Sequence, residues 1–136
     1  LTQSQQWDAT KSRILYHRFQ PGESLLDALE ELARSEGIRE AIITSCIGSF
    51  TQLKLRNLCR RDEDGPVFER QTIDSNLELV SAEGYVQPLP ERGPRVHIHT
   101  VAAHPSGEVV GGHCEGATIY TGAFMYLHVI EDEPQS

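Results

Sequence analysis

One segment constrains this chain more than any other. It reads Val96-His-Ile-His-Thr-Val-Ala-Ala-His104, then Pro105-Ser106-Gly107, then Glu108-Val-Val-Gly-Gly-His-Cys114. Two runs rich in β-branched residues flank a short Pro-Ser-Gly segment, the pattern of a β-hairpin with a three-residue loop. Pro105 suits the first corner of a type I turn, and Gly107 suits the left-handed position after it. If His104 and Glu108 close the loop, His99 falls opposite His113, and His97 lies two residues along on the same face. A loop one residue shorter would throw His113 onto the other face unless a bulge at Gly111 and Gly112 restored it.

The chemistry follows from that register. Residues i and i+2 of a strand stand roughly 6.5 Å apart, a gap that imidazole nitrogens reaching about 2.0 to 2.1 Å toward one ion can close. His97, His99 and His113 are therefore candidate ligands of a three-histidine metal site. A lone His on a half-buried strand is ordinarily a hydrogen-bonded structural residue, so it is the third imidazole in cross-strand register that gives the pattern its weight. The paired glycines mark a bulge or a close approach to the backbone, or make room for a neighbouring chain.

Composition bounds the rest. A chain of 136 residues with 38% hydrophobic content is expected to form one soluble domain with a real core, spanning residues 13–131 between flexible termini at 1–12 and 132–136. Twelve basic residues against twenty acidic give a net charge of -8, which disfavours direct binding to a nucleic-acid backbone. No apolar run approaches the roughly 20 residues that cross a bilayer, and no secretory pattern opens the sequence. Cys46, Cys59 and Cys114 are odd in number and lack Cys-x-x-Cys spacing, so reduced thiols and a cytoplasmic setting are expected.

Taken in order, residues 13–19 alternate as a first strand, which Pro21 and Gly22 end. Leu25, Leu26, Leu29, Leu32 and Ala33 recur at helical spacing, with Ser24 as N-cap and Gly37 as the stop. This is the one main helix. Strands are expected over 41–47, 52–58, 67–73 and 77–86, with a charged loop at 60–66 and a proline-rich loop at 87–94. The hairpin follows, and a last strand over 117–130 bends at Gly122. One helix with about seven strands on short connections defines an α+β domain built on a mostly antiparallel sheet. Phosphate-loop, dinucleotide-glycine and nucleophile-elbow patterns are absent from the sequence.

Several ordered motifs carry a family resemblance: Pro21-Gly22-Glu23 before the Leu-rich helix, Ile47-Gly48-Ser49-Phe50, Leu77-Glu78-Leu79-Val80-Ser81 with Gly84, His97-Ile98-His99, and Gly111-Gly112-His113. Together they resemble the PPC domain, the plants-and-prokaryotes-conserved domain that also forms the body of plant AT-hook nuclear proteins. The resemblance implies a compact α+β fold, a homotrimer and, as in stand-alone prokaryotic members, a metal, commonly zinc, on His97, His99 and His113. The plant relatives bind DNA through an AT-hook with an Arg-Gly-Arg-Pro core. This chain has only Arg92-Gly93-Pro94-Arg95 and no basic tail, so that activity does not carry over. Many relatives also place a Glu near Ala123, where Phe124 stands here.

Around the ligands the sequence offers less. Three neutral imidazoles with an open position are the set with which a catalytic zinc lowers the pKa of bound water toward about 7. Glu78 and Glu115 are candidate general bases or hydrogen-bond partners of the ligating rings. Cys114 should face away from His113 as a small core residue. Arg56, Arg60 and Arg61 could meet an anionic substrate if another subunit brought them to the site, and otherwise belong to a solvated surface. His17, His104 and His128 lack a companion at ligand spacing.

Three functions fit these features. The first is a trimeric zinc-binding module of unassigned activity, regulatory or sensing a small-molecule ligand. The second is a zinc-dependent hydrolase or lyase acting on a small anionic substrate in a cleft between subunits. The third is a cupin-like barrel, against which the lack of a Glu shortly after His99 counts.

Overall fold

The computed structural model describes residues 4–133. Five antiparallel strands and one helix follow in the order β1 (Ser12–Phe19), α1 (Leu25–Ser35), β2 (Glu40–Asp62), β3 (Gly65–Leu89), β4 (Gly93–Ala103) and β5 (Val109–Ile130). The sheet runs β1-β5-β2-β3-β4, and β4 pairs back onto β5. Strands β2, β3, β4 and β5 thus close on themselves, and β1 adds outside, along the second half of β5. Closure over His99–Ala103 covers part of the edge that β4 would otherwise leave free. A single five-stranded sheet with this connectivity is not the double-sheet jelly roll of a cupin.

The fold class is as expected, with fewer and longer strands. Runs 41–47 and 52–58 are two parts of β2, and 67–73 and 77–86 are two parts of β3. The sequence leaves a hairpin or a bulged continuation open at Gly48-Ser49, and the structure has the continuation, with register shifts on either side of Phe50. A bulge absorbs a break in alternation without ending the strand. The charged loop reduces to a turn at Glu63 and Asp64, because Asp62 already pairs with Gly65. The proline-rich loop shrinks to residues 90–92, because Pro88 pairs with Pro94.

Helix α1 begins where expected. The Ser24 side chain accepts the Asp27 backbone N–H, and Gly37 takes a left-handed φ of 63° beyond the last turn. Leu25, Leu29 and Ala33 are its buried stripe, and the helix packs on β4 and β5. They join Phe19, Phe50, Leu53, Leu79, Ile98, Ile119, Met125 and Leu127 in one core. The two ends of the chain meet. The Asp8 backbone N–H donates to the Asp132 carboxylate at 3.0 Å, and Glu131 N–H donates to the Lys11 carbonyl at 2.9 Å. The expected loose tails are thus tied together as far as Asp8 and Asp132, while residues 1–3 and 134–136 lie outside the described residues.

A candidate three-histidine metal centre

The hairpin loop sets the site. His104 N–H donates to the Glu108 carbonyl and Gly107 N–H to the His104 carbonyl, each at 2.8 Å, and Gly107 has a φ of 92°. That closure gives the register His99 opposite His113. Ile98, Thr100, Ala102 and Cys114 point into the core, so His97, His99 and His113 share the outer face. Their ring centroids stand 5.1 to 5.4 Å apart. One nitrogen from each ring lies within 4.8 Å of the others, close enough for a single ion to draw all three together.

A side chain from β2 holds the third histidine's strand in place. Pairing between β2 and β5 stops at Leu55 and Cys114. Beyond that point Asn57 stands in for backbone: its Nδ2 donates to the Gly111 carbonyl and its Oδ1 accepts from the His113 N–H, both at 3.0 Å. Gly111 and Gly112 are explained by this approach. A Cβ on Gly112 would overlap the Asn57 amide, one on Gly111 would overlap the Thr100 carbonyl, and Gly112 has a φ of 141° that side chains rarely adopt.

Each side of the cluster has its own chemistry. On one side a groove of about 270 Å³ is lined by Glu83, Gly84, Tyr85, His97 and His99, with Glu83 opposite His99 in register. The Tyr85 hydroxyl lies 3.2 Å from His97 Nδ1, which leaves Nε2 as the nitrogen free for an ion. On the other side a groove of about 330 Å³ runs along Arg56, Leu58, Phe68, Arg95 and the histidines. The Arg56 guanidinium sits over the Phe68 ring at 4.6 Å and brings Nη2 to 3.4 Å from His113 Nε2. Burial first, then the neighbouring imidazole of His99 and the Arg95 and Arg56 charges, hold His97 below its ordinary pKa. Burial first, then Arg56 and the other two rings, do the same for His113, with Glu115 opposing. Both rings are therefore neutral near pH 7 and need lose no proton to bind a cation. Three imidazoles suit zinc or another divalent transition metal.

The structure separates the remaining candidates. Glu78 pairs with Ala103, five residues along β3 from the Glu83–His99 pair and roughly 15 Å away by strand rise. It lines another cavity with Ser49, His104, Tyr120 and Thr121. Glu115 lies nearer, but both of its oxygens accept from Arg70 Nε, at 3.1 and 3.2 Å. Cys114 is buried, as expected, and desolvation pushes its thiol up to about 11. Arg56 reaches the cluster from its own chain, whereas Arg60 and Arg61 are exposed beside the β2–β3 turn. Phe124 lies under Arg18 and beside the cavity that Glu78 also lines, so the departure from the family pattern falls away from the histidines. His17, His104 and His128 join no ligand cluster among the described residues. No sequence motif singles out Asn57, Glu83 or Tyr85; the β3–β4 register, anchored by Pro88 pairing with Pro94, brings the last two beside the rings.

This fold and cluster place the chain in a family. Its sequence matches the Plants and Prokaryotes Conserved (PCC) domain over residues 8–131, and the chain belongs to that family. It is similar to the PPC protein of Pyrococcus horikoshii, with a TM-score of 0.80, 26% identity, and coverage of 98% of this chain and 86% of that one. A metal-containing protein from Archaeoglobus fulgidus shares the fold at a TM-score of 0.83 and 22% identity, covering 97% of this chain and 88% of that one. Among curated proteins, the bifunctional protein GlmU of Synechococcus sp. (strain JA-3-3Ab) is 33% identical over 116 residues, 85% of this chain and 17% of that protein. The chain thus spans about a sixth of the length of that relative.

Proposed function

We propose that this PCC domain is a homotrimeric metal-binding module with zinc on His97, His99 and His113, serving a regulatory or small-molecule-sensing role. The observation that carries this reading is the meeting of three ligand nitrogens within 4.8 Å. The metal-containing relative from A. fulgidus, which shares the fold, supports it. When bound, zinc would supply a Lewis-acidic centre. The chain's own part is to hold His97 and His113 neutral, fix His97 through Tyr85 and fix the His113 strand through Asn57.

An outer apolar surface supports the trimer. Ile14, His128, Ile42, Tyr85 and His97 form one row across β1, β5, β2, β3 and β4, with Tyr16, Tyr126 and Ile47 nearby. Ile14 is 64% and Ile47 54% exposed in the single chain, an arrangement that favours burial against another copy. The row ends at the metal cluster, so a neighbouring copy would help wall the site. The three free cysteines fit a cytoplasmic setting, and no helix of the described residues is long and apolar enough to cross a membrane. The net charge of -8 argues against direct DNA binding.

A second reading, a zinc-dependent hydrolase or lyase, is favoured by the grooves on both sides of the cluster, which leave room for a substrate. By register, Glu83 rather than Glu78 is then the carboxylate beside the ligands. Metal analysis and native mass measurement test the main reading. Metal stoichiometric with the chain, its loss in His97→Ala, and a mass of three chains are expected. A metal-free wild type purified without chelator and unable to take up added zinc would overturn the site, and a monomeric mass would overturn the trimer. Chelator-sensitive turnover in a hydrolase and lyase panel would shift the assignment to the enzyme.

A further inference from the structure

Arg56 is in an unusual position for a surface arginine. It is a permanent cation directed at a ring that the proposed metal would use, and two like charges at this range repel. Among the described residues its carboxylate neighbour, Glu115, is shared: it bonds Arg70 Nε at 3.1 Å and stands 3.9 Å from Arg56 Nε, an ion pair too long to be a hydrogen bond. Arg56 Nε is buried and finds no hydrogen-bond partner among the described residues. Among the described residues, Nη2 makes a single long hydrogen-bonding approach, 3.4 Å to His113 Nε2. Stacking on Phe68 keeps the guanidinium from swinging into solvent, so its placement is built rather than incidental.

We infer that Arg56 receives the carboxylate of a small organic acid bound in the groove beside the three histidines. This inference rests on the metal reading and adds the class of ligand. An anion at this point lies between two positive centres and offsets their repulsion more fully than Glu115, whose charge is shared with Arg70 and which stands 3.9 Å from Arg56 Nε. Arg95 lines the same groove and makes no ion pair among the described residues, so it adds to the positive potential. Leu58 and Phe68 form an apolar wall that suits a short hydrocarbon tail better than a fully hydrated oxyanion. The planar fork of arginine matches a carboxylate with two parallel hydrogen bonds, which a lysine cannot reproduce.

The test uses the full chain loaded with cobalt(II), whose visible spectrum reports changes at the metal, titrated with propionate, propionamide and inorganic phosphate. Propionate should perturb the spectrum and bind with measurable heat, while neutral propionamide does neither and phosphate binds more weakly. Arg56→Gln should weaken propionate by about tenfold or more. It should also hold cobalt at least as tightly as wild type, because a repelling charge is gone, an outcome that a merely structural role would not give. Arg56→Lys keeps the charge and the stem. If the glutamine variant fails to fold, the lysine variant decides the matter through the same loss of propionate affinity. Unchanged propionate binding in either folded variant, propionamide binding as well as propionate, or tighter binding of phosphate would overturn the assignment of Arg56. Cobalt uptake with no response to propionate would sink this inference alone, whereas no cobalt uptake would sink the metal reading and this one with it.

Discussion

The two halves of β5 are held by different physics. From Ala117 to Val129 the odd-numbered side chains, apart from Thr121, turn inward and are buried, and the strand is gripped by β2 on one side and by Glu23 and β1 on the other. From Val109 to Gly116 the strand is less buried and slips register beside Cys114, and β4 and the Asn57 amide fix it. Burial is tolerant, because many apolar residues of similar volume would fill the first half. Polar fixation is not. It depends on one amide, two glycines and one loop length, and it is what carries His113 to the other two rings.

Substitutions can test that division, beginning with the largest effect. Leu127→Ala, in the buried half, should cost about 2 to 5 kcal/mol of unfolding free energy in denaturant titration. Metal stoichiometry should stay unchanged. Loss of metal at a concentration where the variant is folded would show that the halves are coupled. Tyr85→Phe reverses the pattern. Removing the hydroxyl beside His97 Nδ1 should weaken zinc by about 10- to 100-fold in competition with a chelator, with little change in stability. Equal zinc affinity would mean that this hydroxyl does not orient the ring.

Asn57→Ala deletes both hydrogen bonds to the Gly111–His113 segment, each contributing about 0.5 to 1.5 kcal/mol. Faster amide hydrogen exchange at His113 should accompany a modest fall in zinc affinity, while amides of residues 123–130 stay protected. Exchange rising equally along β5 would remove the distinction between its halves.

The smallest effect is on pH. His97 and His113 have folded-state pKa values below the ordinary 6.5, so the unfolded chain takes up protons first as pH falls. Their contribution to stability is therefore complete above about pH 6.5 and is lost as pH drops through that value toward the folded pKa. Metal-free protein should have a lower urea midpoint at about pH 5.5 than at about pH 7.5, and the difference should shrink in His97→Ala. An NMR titration placing either imidazole above 6.5 would contradict the assigned cause, burial among positive neighbours.

Legibility in the sequence followed the range of the interaction. Helix α1 was readable from Ser24 to Gly37 because caps and apolar spacing act within a few residues. The hairpin was readable because Pro105-Ser106-Gly107 sets its own register, and with it the meeting of His97, His99 and His113. Strand lengths were not, because Pro88 looks like a stop and is carried through by pairing with β4, and because Gly48 is compatible with both a hairpin and the bulged continuation that pairing with β5 selects.

What the sequence determined by itself was the clustering of three histidines, the single helix and the antiparallel class, all of which depend on local spacing. Only the tertiary structure could decide that Asn57 clamps the His113 strand, that Glu83 and Tyr85 stand beside the rings in place of Glu78, and that Arg56 comes from the same chain. Those neighbours are separated from the ligands by up to 57 positions and are brought together by sheet closure. The register between distant strands is set by the packing of the whole core, so no local pattern encodes it.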